Sequence, residues 1–369
     1  MPSKCWKGSV PLIVLYILLA IAILLFMVMI HEFGHYISAK ILKFKVNEFS
    51  IGFGKAIFQK TRKNGEIFSV RLVPLGGYCA FEGEDEDSPS PDAFTNQKPW
   101  KRLIVLFSGA FMNYLFAQFL IIVVFFSAGI NFLSIYEGSE EQPGILPPAP
   151  GTVANPIQAG DVLISVDGHY LYLNNLAERT EKYKKGDEVN FEIYRPSTGE
   201  FLDLVLTKGD YIGTDDEGNP YIYTGFGFVQ SSTAVRLPFG RTLGICFTYA
   251  FDMATFILNI LWQLITFQTS ILNLGGPITT IGVTAEVAST GFWNLMNLTS
   301  MIGLNLAVFN LLPFPALDGA RMVFTTIEWI RGKPINRKVE GYIHAGGLVF
   351  LFGLVIILDL IKIFTGTIT

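Results

Sequence analysis

Five consecutive residues, His31-Glu32-Phe33-Gly34-His35, carry the most legible chemistry in this chain. On a helix, positions i and i+4 share a face, so both imidazoles can reach one ion. A zinc ion takes imidazole nitrogen and, when catalytic, keeps a position open for water. Glu32, between the two rings, is placed to take a proton from that water. A pattern with three fixed letters also arises by chance, so its surroundings decide. The chain has only four histidines, and two of them fall here. The pattern also continues an apolar helix, where an ionisable side chain costs ~2.5–3.5 kcal/mol at the bilayer centre and is usually functional.

A catalytic zinc needs a third protein ligand. His169 sits in a soluble-looking stretch and His344 lies beyond a later apolar segment, which makes both poor candidates. Asp318 is better placed, in Asn310-Leu-Leu-Pro-Phe-Pro-Ala-Leu-Asp318-Gly319 directly after an apolar segment. Two prolines there remove backbone donors and break the helix. Irregular backbone at membrane depth is tolerated only where protein or a water-filled cavity covers it, as in the wall of a site. Cys5, Cys79 and Cys246 are scattered, with no zinc-binding spacing, so histidine and carboxylate must hold any metal.

The elements that position these residues are membrane helices. Half the residues are hydrophobic and 16% are charged, against roughly 25% in soluble chains. The net charge of −4 excludes a broadly basic nucleic-acid binder. Val10 to Ile30 is an uncharged apolar run close to the ~20 residues a span requires. It lacks the short apolar region and small-residue cleavage site of a signal peptide, so we read a retained helix. Leu103–Ile130, Leu295–Leu312 and Gly346–Ile363 can also span. Leu243–Phe267 is less clear, because it carries Asp252, Asn259 and Gln263.

Residues 46–81 read as β structure, with Asn64-Gly65 as a type I′ hairpin signal. Glu82–Pro91 is an acidic loop that reads as a solvated connector. Residues 135–230 are soluble-looking, with short strand patterns and a polar helix-like piece, NNLAERTEKYKK. Residues 38–102 contain eleven Lys/Arg, and a second basic loop follows Leu317. By the positive-inside rule both loops are cytoplasmic, which leaves the soluble stretch on the opposite face. His35 then lies at the cytoplasmic end of the first span. Asp318 reaches that end only if an even number of spans intervenes, so Leu243–Phe267 should lie along the membrane or enter without crossing.

HEFGH at the end of the first span, LNLGGPITTI before the third and NLLPFPALDG after it resemble the site-2 protease family. IEWIRGKP, VPLGGYCAFEGEDE and FTNQKPWKRLIVLFSGAFMN resemble in particular its RseP-type members, the regulator-of-sigma-E proteases. The resemblance covers nearly the whole chain. It implies an intramembrane zinc metalloendopeptidase with ligands His31, His35 and Asp318 and general base Glu32. It also implies that Asn310 and Asn113 line the substrate path. AGDVLISVDG makes the stretch at about 135–210 look like a PDZ domain, and residues 46–81 match a membrane-associated β element able to hold substrate by strand addition. The implied substrates are pre-trimmed single-pass membrane proteins such as anti-sigma factors, and remnant signal peptides, in the bacterial inner membrane. The family's AGP-x-x-N appears as Ser108-Gly109-Ala110-Phe111-Met112-Asn113, without the proline. Its LDGGH appears as Leu317-Asp318-Gly319-Ala320-Arg321. No ligand or base is lost.

The expected architecture is a polytopic α-helical membrane protein with about four transmembrane helices, a membrane-associated β-hairpin and one inserted β-rich PDZ domain. Residues 1–130 hold two spans, the hairpin and HExxH, and 131–235 form the extracytoplasmic domain. Residues 236–290 form a membrane-associated amphipathic region, and 291–369 hold two further spans. The expected partners are transmembrane substrates and the lipid bilayer, with no nucleic acid. An alternative is a non-catalytic membrane scaffold that binds protein termini through its PDZ domain, but it has no use for Glu32, two histidines and Asp318 together. A metal transporter would place polar sites within several spans rather than at one end.

Overall fold

Nothing in the residues after Ile30 breaks a helix. In the computed structural model, which describes residues 10–84, 88–139, 143–172, 175–214 and 219–365, helix α1 runs unbroken over Val10–Leu42. The His31–His35 pattern therefore lies inside it, well before its end. Lys43 adopts a left-handed φ of 64°, and the Phe44 and Lys43 amides return to the Ala39 and Lys40 carbonyls. This double return bond closes the last turn.

Two compact units follow from the packing: residues up to Val123 together with those from Leu243 onward, and residues Val124–Thr242. In the first unit, β1 (Val46–Thr61) and β2 (Ile67–Phe81) pair antiparallel. Gly52 and Gly54 take positive φ, and the strands bend so that Glu48–Ile51 is paired with both Ile67–Val70 and Gly77–Ala80. The hairpin turn differs from the type I′ expectation. The Gly65 amide donates to the Arg62 carbonyl and the Arg62 amide to that of Glu66. Gly65 has positive φ and Asn64 does not. This is a three-residue loop ending in a left-handed glycine, the next most common hairpin form. Residues 85–87 of the acidic loop lie outside the described residues.

Helix α2 (Pro99–Ser127) starts on a proline, as a first helical turn allows. Its Ser108 backbone is so close to Gly34 that a β-carbon there would stand 2.3 Å from the Ser108 carbonyl oxygen. A buried cluster of Ala39, Phe44, Phe49, Phe81, Phe94, Val105 and Leu106 joins α1, the hairpin and α2.

The second unit contains β3 (Ile130–Ile135), β4 (Val162–Val166), β5 (His169–Tyr170), a short helix α3 (Leu176–Thr180), β6 (Glu188–Arg195) and β7 (Glu200–Thr207). It continues with β8 (Gly209–Thr214), β9 (Pro220–Gly225) and β10 (Gln230–Val235). The main sheet has the order β10-β3-β4-β6-β7, with β5 on β4, and β8 pairs with β9. Leu133, Leu163, Phe191, Ile193 and Leu206 fill an apolar core. Of the polar helix-like piece, Asn174 lies outside the described residues and α3 is its helical part.

The chain then forms α4 (Phe239–Ile265), α5 (Pro277–Thr290), α6 (Phe292–Asn310), α7 (Asp318–Arg331) and α8 (Arg337–Thr365). Among the described residues, five helices, α1, α2, α4, α6 and α8, are long and apolar enough to cross a membrane. Asp252, Asn259 and Gln263 do not interrupt α4, which is one continuous helix of 27 residues. Length and composition thus admit one span more than the four that were expected.

Candidate metal centre and cleft

Three donors from distant parts of the sequence meet at one point. His31 and His35 come from consecutive turns of one face of α1, and both are buried. Asp318 is the first residue of α7, after Pro313 and Pro315 have ended the helical path of α6. Asp318 Oδ2 lies 2.9 Å from His31 Nε2 and 3.2 Å from His35 Nε2. The two Nε2 atoms are 3.1 Å apart. Ligands on tetrahedral zinc at ~2.0–2.1 Å stand roughly 3.3 Å from one another, so the spacing suits such an ion.

The polar surroundings bear on which ring nitrogens face the centre. His35 Nδ1 donates to the Val105 carbonyl at 2.7 Å. That fixes the tautomer and leaves the Nε2 lone pair pointing at Asp318. The Asn310 amide nitrogen lies 3.4 Å from His31 Nδ1; a His31 that ligates through Nε2 carries its proton on Nδ1, which the Asn310 oxygen would accept once the amide is turned over. No hydrogen-bond donor satisfies Asp318 Oδ2 among the described residues. Three electron-rich atoms at these separations repel one another unless a cation lies between them, and the donor set fits zinc.

Glu32 faces a cleft of about 440 Å³ that is also lined by His35, Asp318, Tyr78, Leu106 and His344. Its Oε2 accepts the Cys79 backbone N–H of β2 at 3.1 Å. The hairpin therefore aims the carboxylate. His344 is not among the converging ligands; its Nδ1 accepts the Ala316 N–H at 3.0 Å. Ala316 has a φ of 84°, a costly conformation for a residue with a β-carbon. His344 therefore braces the loop that delivers Asp318.

The two asparagines have different settings. Asn310 touches His31. Asn113 is fully buried in α2, and both of its amide atoms lack a partner among the described residues; neither asparagine is among the residues that line this cleft.

Gly109 escaped the sequence reading as a site residue. A β-carbon there would stand 2.4 Å from His35 Nε2 and 2.8 Å from His31 Cε1. The His35 Nε2–Cε1 edge and the His31 Cε1 atom thus rest on bare backbone. Glycine costs about 1 kcal/mol inside a helix, so its presence in α2 was a signal that something approaches closely. The Val105 carbonyl and Cys79 amide leave no such trace, because every residue type carries them.

Away from the cleft, the start of α2 is tied to α7. Arg102 Nη1 meets Glu328 Oε2 at 2.6 Å and Arg337 Nη2 meets Glu328 Oε1 at 3.1 Å. Burial pushes the Glu328 carboxyl up. The Ile335 amide and the two arginines outweigh it and hold the group below the usual glutamate range.

The sequence comparisons agree with this chemistry. Residues 19–354 match the family model for peptidase family M50, and the chain belongs to that family. It is 27% identical to the zinc metalloprotease RasP of Oceanobacillus iheyensis, over 90% of this chain and 94% of that protein. It is 31% identical to the chloroplastic membrane metalloprotease ARASP of Arabidopsis thaliana, over 94% and 80% of the two chains. A Fusobacterium nucleatum protein is 28% identical over 93% of this chain and 96% of its own length. The chain is a multi-pass membrane zinc metalloprotease.

Proposed function

We propose that the protein cleaves peptide bonds within the transmembrane helices of single-pass proteins, with His31, His35 and Asp318 as zinc ligands and Glu32 as general base. The observation that carries this reading is the meeting of the three donors beside Glu32, on a helix that is apolar enough to span. Zinc, when bound, supplies the Lewis acidity that lets water lose a proton near neutral pH. Glu32, oriented by the Cys79 amide, accepts that proton and passes it to the leaving amine. The Val105 carbonyl keeps His35 in the ligating tautomer, and the Asn310 amide, turned over, would do the same for His31. In the same reading Asn310 and Asn113, the latter one turn after Gly109 on α2, border the path the substrate takes.

A helical substrate shields its own backbone, so it must unwind before attack. The β1–β2 hairpin borders the cleft through Tyr78–Phe81, where an unwound segment can be held by strand addition. Residues 131–235 act as a PDZ-like gate on the extracytoplasmic side, which restricts entry to substrates already trimmed there. Anti-sigma factors and remnant signal peptides in a bacterial inner membrane fit that requirement. The basic loops face the cytoplasm. With Asp318 beside His35, parity requires that α4 not cross, because α5 has 14 residues and is too short to span a ~30 Å core.

The deciding experiment uses Glu32→Gln. Cleavage of a single-pass test substrate should fall by 10²–10⁴-fold while zinc stays bound at the wild-type ratio. Turnover that survives the change sinks the base assignment.

A further inference from the structure

Arg321 stands where the family's pattern has a histidine, and the mechanism above gives it no task. It lies one helical turn after Asp318 on α7, and i and i+3 share a face. Its guanidinium Nη1 forms an ion pair with Glu84 Oε1 in the loop that follows β2. The other oxygen of Glu84 accepts the Phe81 N–H at 3.3 Å. Phe81 ends the strand whose Cys79 amide holds Glu32. An unbroken line therefore runs from Asp318 through Arg321, Glu84, Phe81 and Cys79 to Glu32. Glu84 is nearly buried. Both side chains also line the cleft and a neighbouring cavity of about 230 Å³.

We propose that Glu84 and Arg321 are a positioning pair, which fixes the strand that aims Glu32 against the helix that supplies Asp318. The pair does not hold the fold. The same loop is fastened independently, by the Glu82 N–H to the Lys45 carbonyl at 3.0 Å and the Phe94 N–H to the Glu82 carbonyl at 2.7 Å. Asp318 has its own anchorage in the proline-bent loop and His344. Loss of the ion pair should therefore leave strand, helix and metal in place and loosen only the spacing between base and ligand. An error of about 1 Å in such spacing costs on the order of 10²-fold in rate.

This inference rests on the assignment of Glu32 and Asp318 above. The test uses full-length protein in detergent and an epitope-tagged single-pass protein trimmed to its transmembrane helix. Arg321→Ala and Glu84→Ala should each lower kcat on the order of 10²-fold, with KM and zinc content unchanged. Amide exchange at residues 77–81 should quicken in both. The reversed pair, Glu84→Arg with Arg321→Glu, should recover at least about tenfold in kcat over either reversal alone and restore slow exchange. Wild-type kcat in the single variants overturns the proposal. So does a reversed pair no better than its parts, or zinc lost in step with activity. If the alanine variants do not fold, Arg321→Lys and Glu84→Asp keep the charges and shorten the reach, and wild-type kcat in both overturns it equally. A wild type that cleaves nothing refutes the site assignment instead, and the exchange data then decide whether the pair couples strand to helix.

Discussion

Residues 124–242 bury what a soluble domain buries, whereas the unit around α1 buries polar groups at the places where its elements meet. In the β domain, Leu163, Phe191, Ile193 and Leu206 are sealed in an apolar core, and the buried Asp161 is satisfied by Arg195 at its edge. Around α1, the buried groups include His31, His35, Arg102, Asn113, Glu328 and Asp359. Water is absent on both the inside and the outside of a membrane bundle, so apolar burial distinguishes little there. Directional bonds between elements then decide where helices sit. The β domain can be stable without being precise. The bundle has to be precise, because its polar junctions are also its chemistry.

The sharpest way to break that contrast is to insert one carbon atom. Gly109→Ala places a β-carbon against both ligand rings, and the contact atoms are ring edges with no freedom to retreat. Zinc affinity, measured by competition with a chelator, should fall by about 100-fold, at the upper end of what supporting residues contribute. Thermal unfolding of the β domain should be unchanged. Wild-type zinc affinity would mean that the rings move more freely than the bond of His35 to Val105 and their packing against Gly109 allow.

Leu163→Ala is the converse. Leu163 is fully buried, and a leucine truncated in such a core costs 2–5 kcal/mol. Amide exchange across residues 124–242 of the full chain should accelerate accordingly, with zinc content untouched. A loss of zinc would show that the β domain's packing supports the site, and the contrast between the units would fail.

Much of the site was legible because its chemistry is carried by side chains in local patterns. HEFGH on an apolar helix singled out His31, Glu32 and His35, and the Pro-Phe-Pro-Ala-Leu-Asp run singled out Asp318, and the structure brings donor atoms of His31, His35 and Asp318 within 4.8 Å of one another. The hairpin at 46–81 was legible too, since Asn64-Gly65 marks a turn, although the turn type was not. Position i+1 of a hairpin admits several backbone solutions, and only the bonds of Arg62 and Glu66 choose between them. The sequence carried α1 through HEFGH to His35, and hydropathy says nothing of where a helix ends beyond its apolar run. The helix goes on to Leu42 and stops where Lys43 turns left-handed. The partners of His35 and Glu32 were out of reach altogether: a backbone carbonyl and a backbone amide, brought in by tertiary folding from 70 and 47 residues away.

A milder perturbation tests whether directional bonds place helices away from the metal as well. Asp359 is buried within α8 and accepts the backbone N–H groups of Gly276, Ile278 and Thr279 at 3.1, 2.9 and 3.3 Å, with the Thr279 hydroxyl at 2.7 Å. These are the donors that the first turn of α5 leaves unpaired, so LNLGGPITTI ends in a cap supplied by another helix. Asp359→Asn keeps the shape but turns one acceptor into a donor that faces N–H groups. An amide left unpaired in a buried place costs about 1–3 kcal/mol, so exchange at residues 276–290 should quicken roughly 10- to 100-fold. The effect should stop at α5, because Gly276 and Thr279 bond to neither ligand nor base. Zinc content should hold, and so should exchange in the β domain. If α5 exchanges at the wild-type rate, its apolar packing on α1 places it instead, and directional bonding governs only the metal end of the bundle.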